Sequence, residues 1–317
     1  MQTQFPQTLT EAIRYFADHK VAFDFMVQLR WPDGVQCPRC GCKDVRFIST
    51  RKLWECKECK QKKQFSVRVG TIFEESALPL DKWLAAIWMI TNAKNGVSSY
   101  EIHRSIGVTQ KTAWFMLQRI RLAMQTRSFE KFSGEVEIDE TWIGGLARNM
   151  HKSRNKRRGR GTGGVGKAII MGILERGGKV KAKHLPNVQR QTLQAEVRES
   201  VEPGSHVFTD QWVGYTGLRR QGYIHKIINH VRAYVRGNVH TNGMENFWSL
   251  LKRCIKGTYV SVEPFHMFRY LDEQAFRFNE RFGDDGDRFK TVIGQMVNKR
   301  VTYKELIGKA EGSTTSA

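Results

Sequence analysis

The sequence predicts an α/β domain preceded by two small modules, and three observations carry that prediction. Apolar residues recur at helical spacing through residues 8–30 and 79–126. Five of the six cysteines crowd between Cys37 and Cys59, among short β-like pieces. From Ser133 onward the texture changes to period-two strands alternating with helices, as in an α/β domain. A chain of 317 residues has room for one large domain and one or two small modules.

In chain order, residues 8–30 read as helical, with Thr8 or Thr10 as the N-cap. Residues 31–72 are the β-like pieces around the cysteine pairs, and 79–126 are helical again. Strands follow at 135–143, 167–176, 179–184 and 206–210, with a helix at 189–201 before the fourth. A fifth strand at 223–228 and helices at 242–256 and 264–281 complete the pattern. The expected divisions are therefore 1–30 (helical), 31–75, 76–130, 131–283 and 284–317. The last is a tail whose EGSTTSA end reads as disordered.

Charge narrows the partners. Lys and Arg total 52 against 31 Asp and Glu, a formal charge of +21. An excess of that size repels itself in a compact fold and usually exists to meet a polyanion, so nucleic acid is the favoured partner. A ribosome-associated protein or a merely basic surface is the alternative. The start of the chain, MQTQFPQTLTEAIRYF, lacks the basic end and apolar core of a signal peptide. The longest apolar run, Trp83 to Ile90, is far short of the ~20 residues a spanning helix needs. The expected location is the cytoplasm, with no membrane partner and with thiols kept reduced.

Reduced cysteines in pairs read as metal ligands. Cys37-Pro-Arg-Cys40 and Cys56-Lys-Glu-Cys59 each bracket two residues, a spacing at which two thiolates grip one ion from a knuckle turn. Two knuckles complete a tetrahedral site of four thiolates for one structural Zn2+, closed to catalysis and substituting for a core. Coincidental pairs or a redox dithiol are the alternatives, but redox motifs come singly and near a βαβ unit. Cys42 is a spare that stands as a weak alternative ligand, and Cys254 reads as packing on a later helix. The many basic residues around this ribbon, among them Arg39, Arg46, Arg51 and Lys57, suggest a phosphate-facing module.

Residues 98–124 have the layout of a helix-turn-helix. Ser98 or Ser99 caps a short helix ending at Gly107, and Thr109 caps a longer one that begins with Gln110, Lys111 and Thr112. Those three polar residues are the expected base-edge contacts, while Ile106, Val108, Trp114, Leu117 and Ile120 pack the helices together. A plain helical hairpin in a core is the alternative.

Three acids stand in three different elements of the α/β part. Asp139 lies in the strand EVEIDETWI, Asp210 ends the strand HVFTD, and Glu245 opens the helix NGMENFWSLLKR. In-line phosphodiester exchange needs two divalent ions roughly 3.5–4 Å apart, and carboxylates are their natural hard ligands. Lys252 follows Glu245 by about two helical turns, where it would meet DNA phosphate. Any one of these acids alone reads as a solvated surface group. Thirty-five positions separate Asp210 from Glu245, and Lys252 lies seven further on.

With that order, the chain resembles the DDE transposases of insertion sequences that carry an N-terminal zinc ribbon, the ISXO-like group. The resemblance runs through RWPDGVQCPRCG, WECKECKQKKQFSVRVGTIFEES, EIDETWIGG, TDQWVGY, HTNGMENFWSLLKR and GTYVSVEPFHMFRYLDEQAFRFNER, nearly the whole chain. It implies an α/β RNase H-like catalytic core, a mixed sheet flanked by helices, behind the zinc ribbon and helix-turn-helix. It also implies that Asp139, Asp210 and Glu245 are ligands of two Mg2+ (or Mn2+) ions, with Lys252 an accessory basic position. Some members carry Asn at the third position, so Asn242 and Asn246 stand as alternatives to Glu245. The activity implied is metal-dependent cleavage at terminal inverted repeats and strand transfer of 3′-hydroxyl ends into target DNA. A homodimer or larger assembly on double-stranded DNA is then expected.

Two basic features fit a DNA partner. The stretch 146–167 contains eight Lys or Arg and no acid, including Arg154, Lys156, Arg157, Arg158 and Arg160, and reads as a loop that orders on DNA. Glu273, Arg277 and Arg281 recur at i, i+4 and i+8 on a late helix, either as a surface ion-pair ladder or with Arg277 lining the DNA channel.

Overall fold

The computed structural model describes residues 5–125, 130–144, 167–228, 240–260 and 262–308. They belong to two compact units: the chain up to Met124 together with residues from Phe282 onward, and Gln125–Arg281.

In the first unit the expected helical segment 8–30 is two helices. α1 (Leu9–Phe16) begins at a Thr8 capping box with Glu11, and Asp18 interrupts the run to cap α2 (His19–Arg30). The ribbon strands β1 (Val45–Ile48), β2 (Leu53–Cys56) and β3 (Gln64–Phe65) form an antiparallel sheet in that order. Its metal site is not a substitute for a core. Trp54 is buried, with Phe23 of α2 stacked 5.6 Å away and Trp31 and Phe65 at 5.3 and 6.0 Å.

α3 (Leu80–Asn92), α4 (Ser99–Ile106) and α5 (Gln110–Met124) complete the N-terminal part. The expected tail at 284–317 is not a tail over its described part. α9 (Asp285–Gly294) packs on α3, with Phe289 fully buried among Trp88, Phe16 and Phe25 at 5.0, 5.7 and 6.2 Å. α10 (Tyr303–Leu306) follows, and the buried Arg119 donates to the carbonyls of Ile72, Glu74 and Val301, stapling the two parts of this unit together. The weak periodicity of a ten-residue helix hid an apolar face that two distant segments share.

The second unit is a five-stranded mixed sheet. It contains β4 (Glu135–Ile143), β5 (Ala168–Glu175), β6 (Val180–Leu185), β7 (His206–Thr209) and β8 (Ile224–Ile227), in the order β6-β5-β4-β7-β8. β5 runs antiparallel to both β4 and β6, whereas β7 runs parallel to β4 and β8 parallel to β7. α6 (Arg190–Ser200) covers one face over Val136, Ile138, Met171 and Val207. α7 (Asn242–Cys254) and α8 (Met267–Asn279) cover the other over Ile143, Ile170 and Leu174. This mixed sheet flanked by helices is compatible with an RNase H-like core.

One glycine controls how closely α7 approaches. A Cβ at Gly172 of β5 would collide with Met244 and stand 2.7 Å from the Trp248 ring, so only glycine admits these side chains.

If residues beyond 284 belong to the first unit, Phe289→Ala should destabilise it by about 3–5 kcal/mol, the usual cost of emptying a buried aromatic site. Urea unfolding followed by tryptophan fluorescence checks this, and an unchanged midpoint would restore the dispensable tail.

Candidate active site

Two centres of different chemistry emerge, one in each unit. In the ribbon, the sulfurs of Cys37, Cys40, Cys56 and Cys59 all lie within 4.8 Å of one another. The Cys40–Cys56 and Cys40–Cys59 pairs are 3.5 Å apart and Cys37–Cys59 is 3.7 Å. A tetrahedron with zinc–sulfur bonds of ~2.3 Å has edges close to these spacings, and they are far too long for disulfides. The neighbouring Cys40 thiol, with burial and Cys37, pushes Cys59 up to about 12, so sulfurs packed this way fit a cation that compensates their charge. The four cysteines are therefore placed to hold one structural zinc ion. Cys42 is not part of it: its sulfur accepts the Asp44 N–H at 3.2 Å, within its own turn.

The helix-turn-helix has the expected caps. Ser98 forms a capping box with Glu101, Gly107 ends α4 in the left-handed region (φ 61°), and Thr109 Oγ1 accepts the Thr112 N–H at 3.2 Å. The three expected base-reading residues are already engaged inside the unit. Gln110 donates to Ser99 Oγ at 2.8 Å, Thr112 shares a hydroxyl bond with Thr109, and Lys111 Nζ lies 4.7 Å above the Tyr303 ring.

In the sheet, the ladder between parallel β4 and β7 pairs Glu135 with His206, Val136 with Val207 and Glu137 with Phe208. The same offset carried two residues further sets Asp139 beside Asp210. Asp139 alternates onto the α7 face, where Trp248 Nε1 donates to its Oδ2 at 2.9 Å. Gly172, its partner on β5, provides the space for that indole. Asp210 accepts the Trp212 N–H at 3.0 Å, which fixes the turn after β7. Glu245 is exposed in the first turn of α7, and Asn246 and Lys252 are also exposed on that helix.

The electrostatics tie these acids together. Burial first, then the charges of Asp210 and Glu245, push the Asp139 carboxyl up to about 6, against the opposing hydrogen bond from Trp248. Glu140 is pushed up to about 9 by burial, Asp139 and Asp210, and it accepts the Tyr215 hydroxyl. Hard oxygen donors in mutual repulsion are a set that suits a divalent cation. Among the described residues the four cysteines are nevertheless the one group of three or more His, Cys, Asp or Glu whose ligand atoms come within 4.8 Å of one another. The acids stand near one another without forming so tight a cluster.

Arg277 corrects an expectation. Its side chain is buried, bonded to Glu273, to Gln274 Oε1 at 2.9 Å and to Cys254 Sγ at 3.4 Å. It does not stand on the surface, as a ladder or a channel lining would, because α8 turns that face toward α7. Arg154, Lys156, Arg157, Arg158 and Arg160 lie outside the described residues. Sequence reasoning did not single out Trp248, Glu140 or Tyr215. The nearest signal was a tryptophan three places after Glu245, which reads equally well as packing.

A thiol-gripped ribbon in one unit and acids gathered at a mixed sheet in the other define a class: ribbon-bearing proteins with a compact α/β core. Residues 131–279 match the model of the ISXO2-like transposase domain, and residues 17–62 match the transposase zinc-ribbon domain. The chain is 26% identical over 297 residues to an uncharacterized protein in transposable element ISH50 of Halobacterium salinarum, spanning 89% of this chain and 98% of that one. It is 36% identical over 101 residues to an uncharacterized transposase-like protein of Haemophilus influenzae, 32% of this chain and 81% of the relative. The chain belongs to the ISXO2-like transposase family.

The zinc assignment predicts one zinc per chain by atomic emission, and Cys37→Ser/Cys40→Ser should lose it. At the sheet, any cation that Asp139 holds would compete with protons for it, so Mn2+ affinity should weaken as pH falls below about 6. Trp248→Phe removes a bond that favours the ionised form, so the weakening should begin at higher pH. Mn2+ binding followed by electron paramagnetic resonance checks both signs.

Proposed function

We propose that this chain is the transposase of an insertion sequence, cleaving DNA at terminal inverted repeats and joining the released 3′-hydroxyls to target DNA. The observation that carries the reading is that Asp139, midway along β4, stands near Asp210, which directly follows the parallel strand β7, with Asp210 and Glu245 both close enough to repel it. When bound there, two Mg2+ (or Mn2+) ions supply activation of the attacking oxygen and stabilisation of the leaving one. Asp139, held by Trp248, and Asp210, held by its turn, are the strand-borne ligands. Glu245 is the third, with Asn246 its alternative on the same exposed turn.

Lys252 neutralises phosphate charge two helical turns further along α7. Water and then a DNA hydroxyl act as nucleophiles, so no side chain bonds covalently to DNA. The ribbon and the start of α5, with Gln110, Lys111 and Thr112, recognise the inverted repeats once DNA competes for their internal partners. Two ends have to be held together, which calls for a homodimer or larger assembly on double-stranded DNA. The reaction takes place in the cytoplasm; among the described residues no helix is long and apolar enough to cross a membrane.

The test is cutting and joining of a labelled element end with Mg2+, comparing wild type with Asp210→Asn. Wild type should give joined product and the variant roughly 10³-fold less, the several kcal/mol that metal-assisted charge stabilisation contributes. Cutting without joining would indicate a nuclease on the same core. Binding without any reaction by wild type would indicate a DNA-binding regulator. Equal activity in both proteins would remove Asp210 from the mechanism.

A further inference from the structure

A second acid of β4 is buried on the same face as Asp139, two residues earlier. Glu137 is 1% exposed, and its carboxylate is fully surrounded by donors. Arg176 Nε stands 2.8 Å from Oε1 and His240 Nδ1 3.2 Å from the same oxygen. The other oxygen, Oε2, accepts the backbone N–H of Met244 at 3.0 Å. Met244 lies in the first turn of α7, immediately before Glu245. A buried carboxylate of the central strand thus accepts one of the four N–H groups that a helix start leaves without an intrahelical partner.

The surroundings make this contact specific. Arg176 is itself held by Glu135 Oε2 at 3.1 Å, by the His240 carbonyl at 2.8 Å and by the Phe208 ring at 4.1 Å. Gly243 packs so tightly that a Cβ would collide with Leu174 and stand 2.8 Å from Glu137 Oε2. Leu174 is the ladder partner of Glu137, just as Gly172 is the partner of Asp139. α7 is therefore pinned to the β4–β5 pair at two points, Glu137 to the Met244 N–H and Asp139 to the Trp248 indole. Glu245 lies between the two pins.

We propose that Glu137 is a positioning residue: its buried carboxylate fixes the depth and rotation of the α7 start, and so sets Glu245 against Asp139 for metal binding. The proposal rests on the assignment of Asp139, Asp210 and Glu245 as metal ligands. Losing an outer partner of a metal ligand typically costs about 10- to 100-fold in metal affinity or activity.

The decisive variant is Glu137→Leu/Arg176→Leu, which removes the acid and its guanidinium together and leaves no buried charge unpaired. Its fold is checked by circular dichroism, its Mn2+ affinity by electron paramagnetic resonance, and its Mg2+ requirement by cleavage of an element end. A folded double variant should need about 10- to 100-fold more metal in both assays. Wild-type metal dependence in that folded protein overturns the proposal. If the double variant does not fold, Gly243→Ala decides, since it keeps every charge and pushes the helix start outward. It should show the same direction of change, and unchanged metal dependence overturns the proposal. Glu137→Gln keeps an acceptor for Met244 and should recover part of the loss, which a purely structural ion pair would not predict. Asp210→Asn run alongside separates the two failures. If it binds Mn2+ and reacts like wild type, the ligand assignment falls and takes the proposal with it. If it is inactive while the Glu137 variants keep their metal dependence, the positioning role alone falls.

Discussion

The parallel pairing of β4 with β7 is the constraint on which the second unit depends. β4 carries an antiparallel neighbour on one side and a parallel one on the other. Parallel pairing sets the start of β7 level with the start of β4, so the residue that follows the shorter β7, Asp210, comes level with the middle of β4, where Asp139 lies. Such a pair also requires a long crossover, and the segment between β6 and β7 supplies α6, which covers one face. The antiparallel side contributes something different: it fixes which residue of β5 stands opposite each acid. Had the β4–β5 register slipped by one, Asp139 would face a bulky side chain and α7 could not come near.

Two acids on the same face of one strand, two residues apart, have opposite surroundings. Glu137 receives a guanidinium, an imidazole and a backbone N–H. Asp139 receives an indole N–H and faces the charges of Asp210 and Glu245. Glu137 is fully buried and Asp139 partly so; the fold surrounds the first with its own donors and leaves the second facing other acids. That difference separates an acid that holds the structure together from an acid suited to an external cation.

Much of this was readable in the chain because it rests on local patterns. The cysteine spacing, the Ser98 and Thr109 caps and the alternation in EVEIDETWI each need only a few neighbouring residues to declare themselves. The strand boundaries of the second unit followed for the same reason. Three features were not readable. The two pins on α7 depend on glycines whose role appears only when another element comes close. The burial of Arg277 depends on which way α8 rotates, which a period of i, i+4 and i+8 does not specify. The membership of α9 in the first unit depends on a partner, α3, nearly two hundred residues earlier in the chain.

That last feature has a consequence for how the protein is made. Because the first unit draws its core from both ends of the sequence, the second unit is an insertion within it. A ribosome therefore releases all of the sheet-bearing unit before it supplies Phe289, Val292 and Ile293, which fill the gap against α3. During synthesis the N-terminal helices wait with an apolar face uncovered, while the inserted unit has every residue of its own sheet and can fold first. The module expected to grip DNA becomes whole only after the inserted unit has been made. A truncated product would thus carry the chemistry of one unit beside an incomplete version of the other.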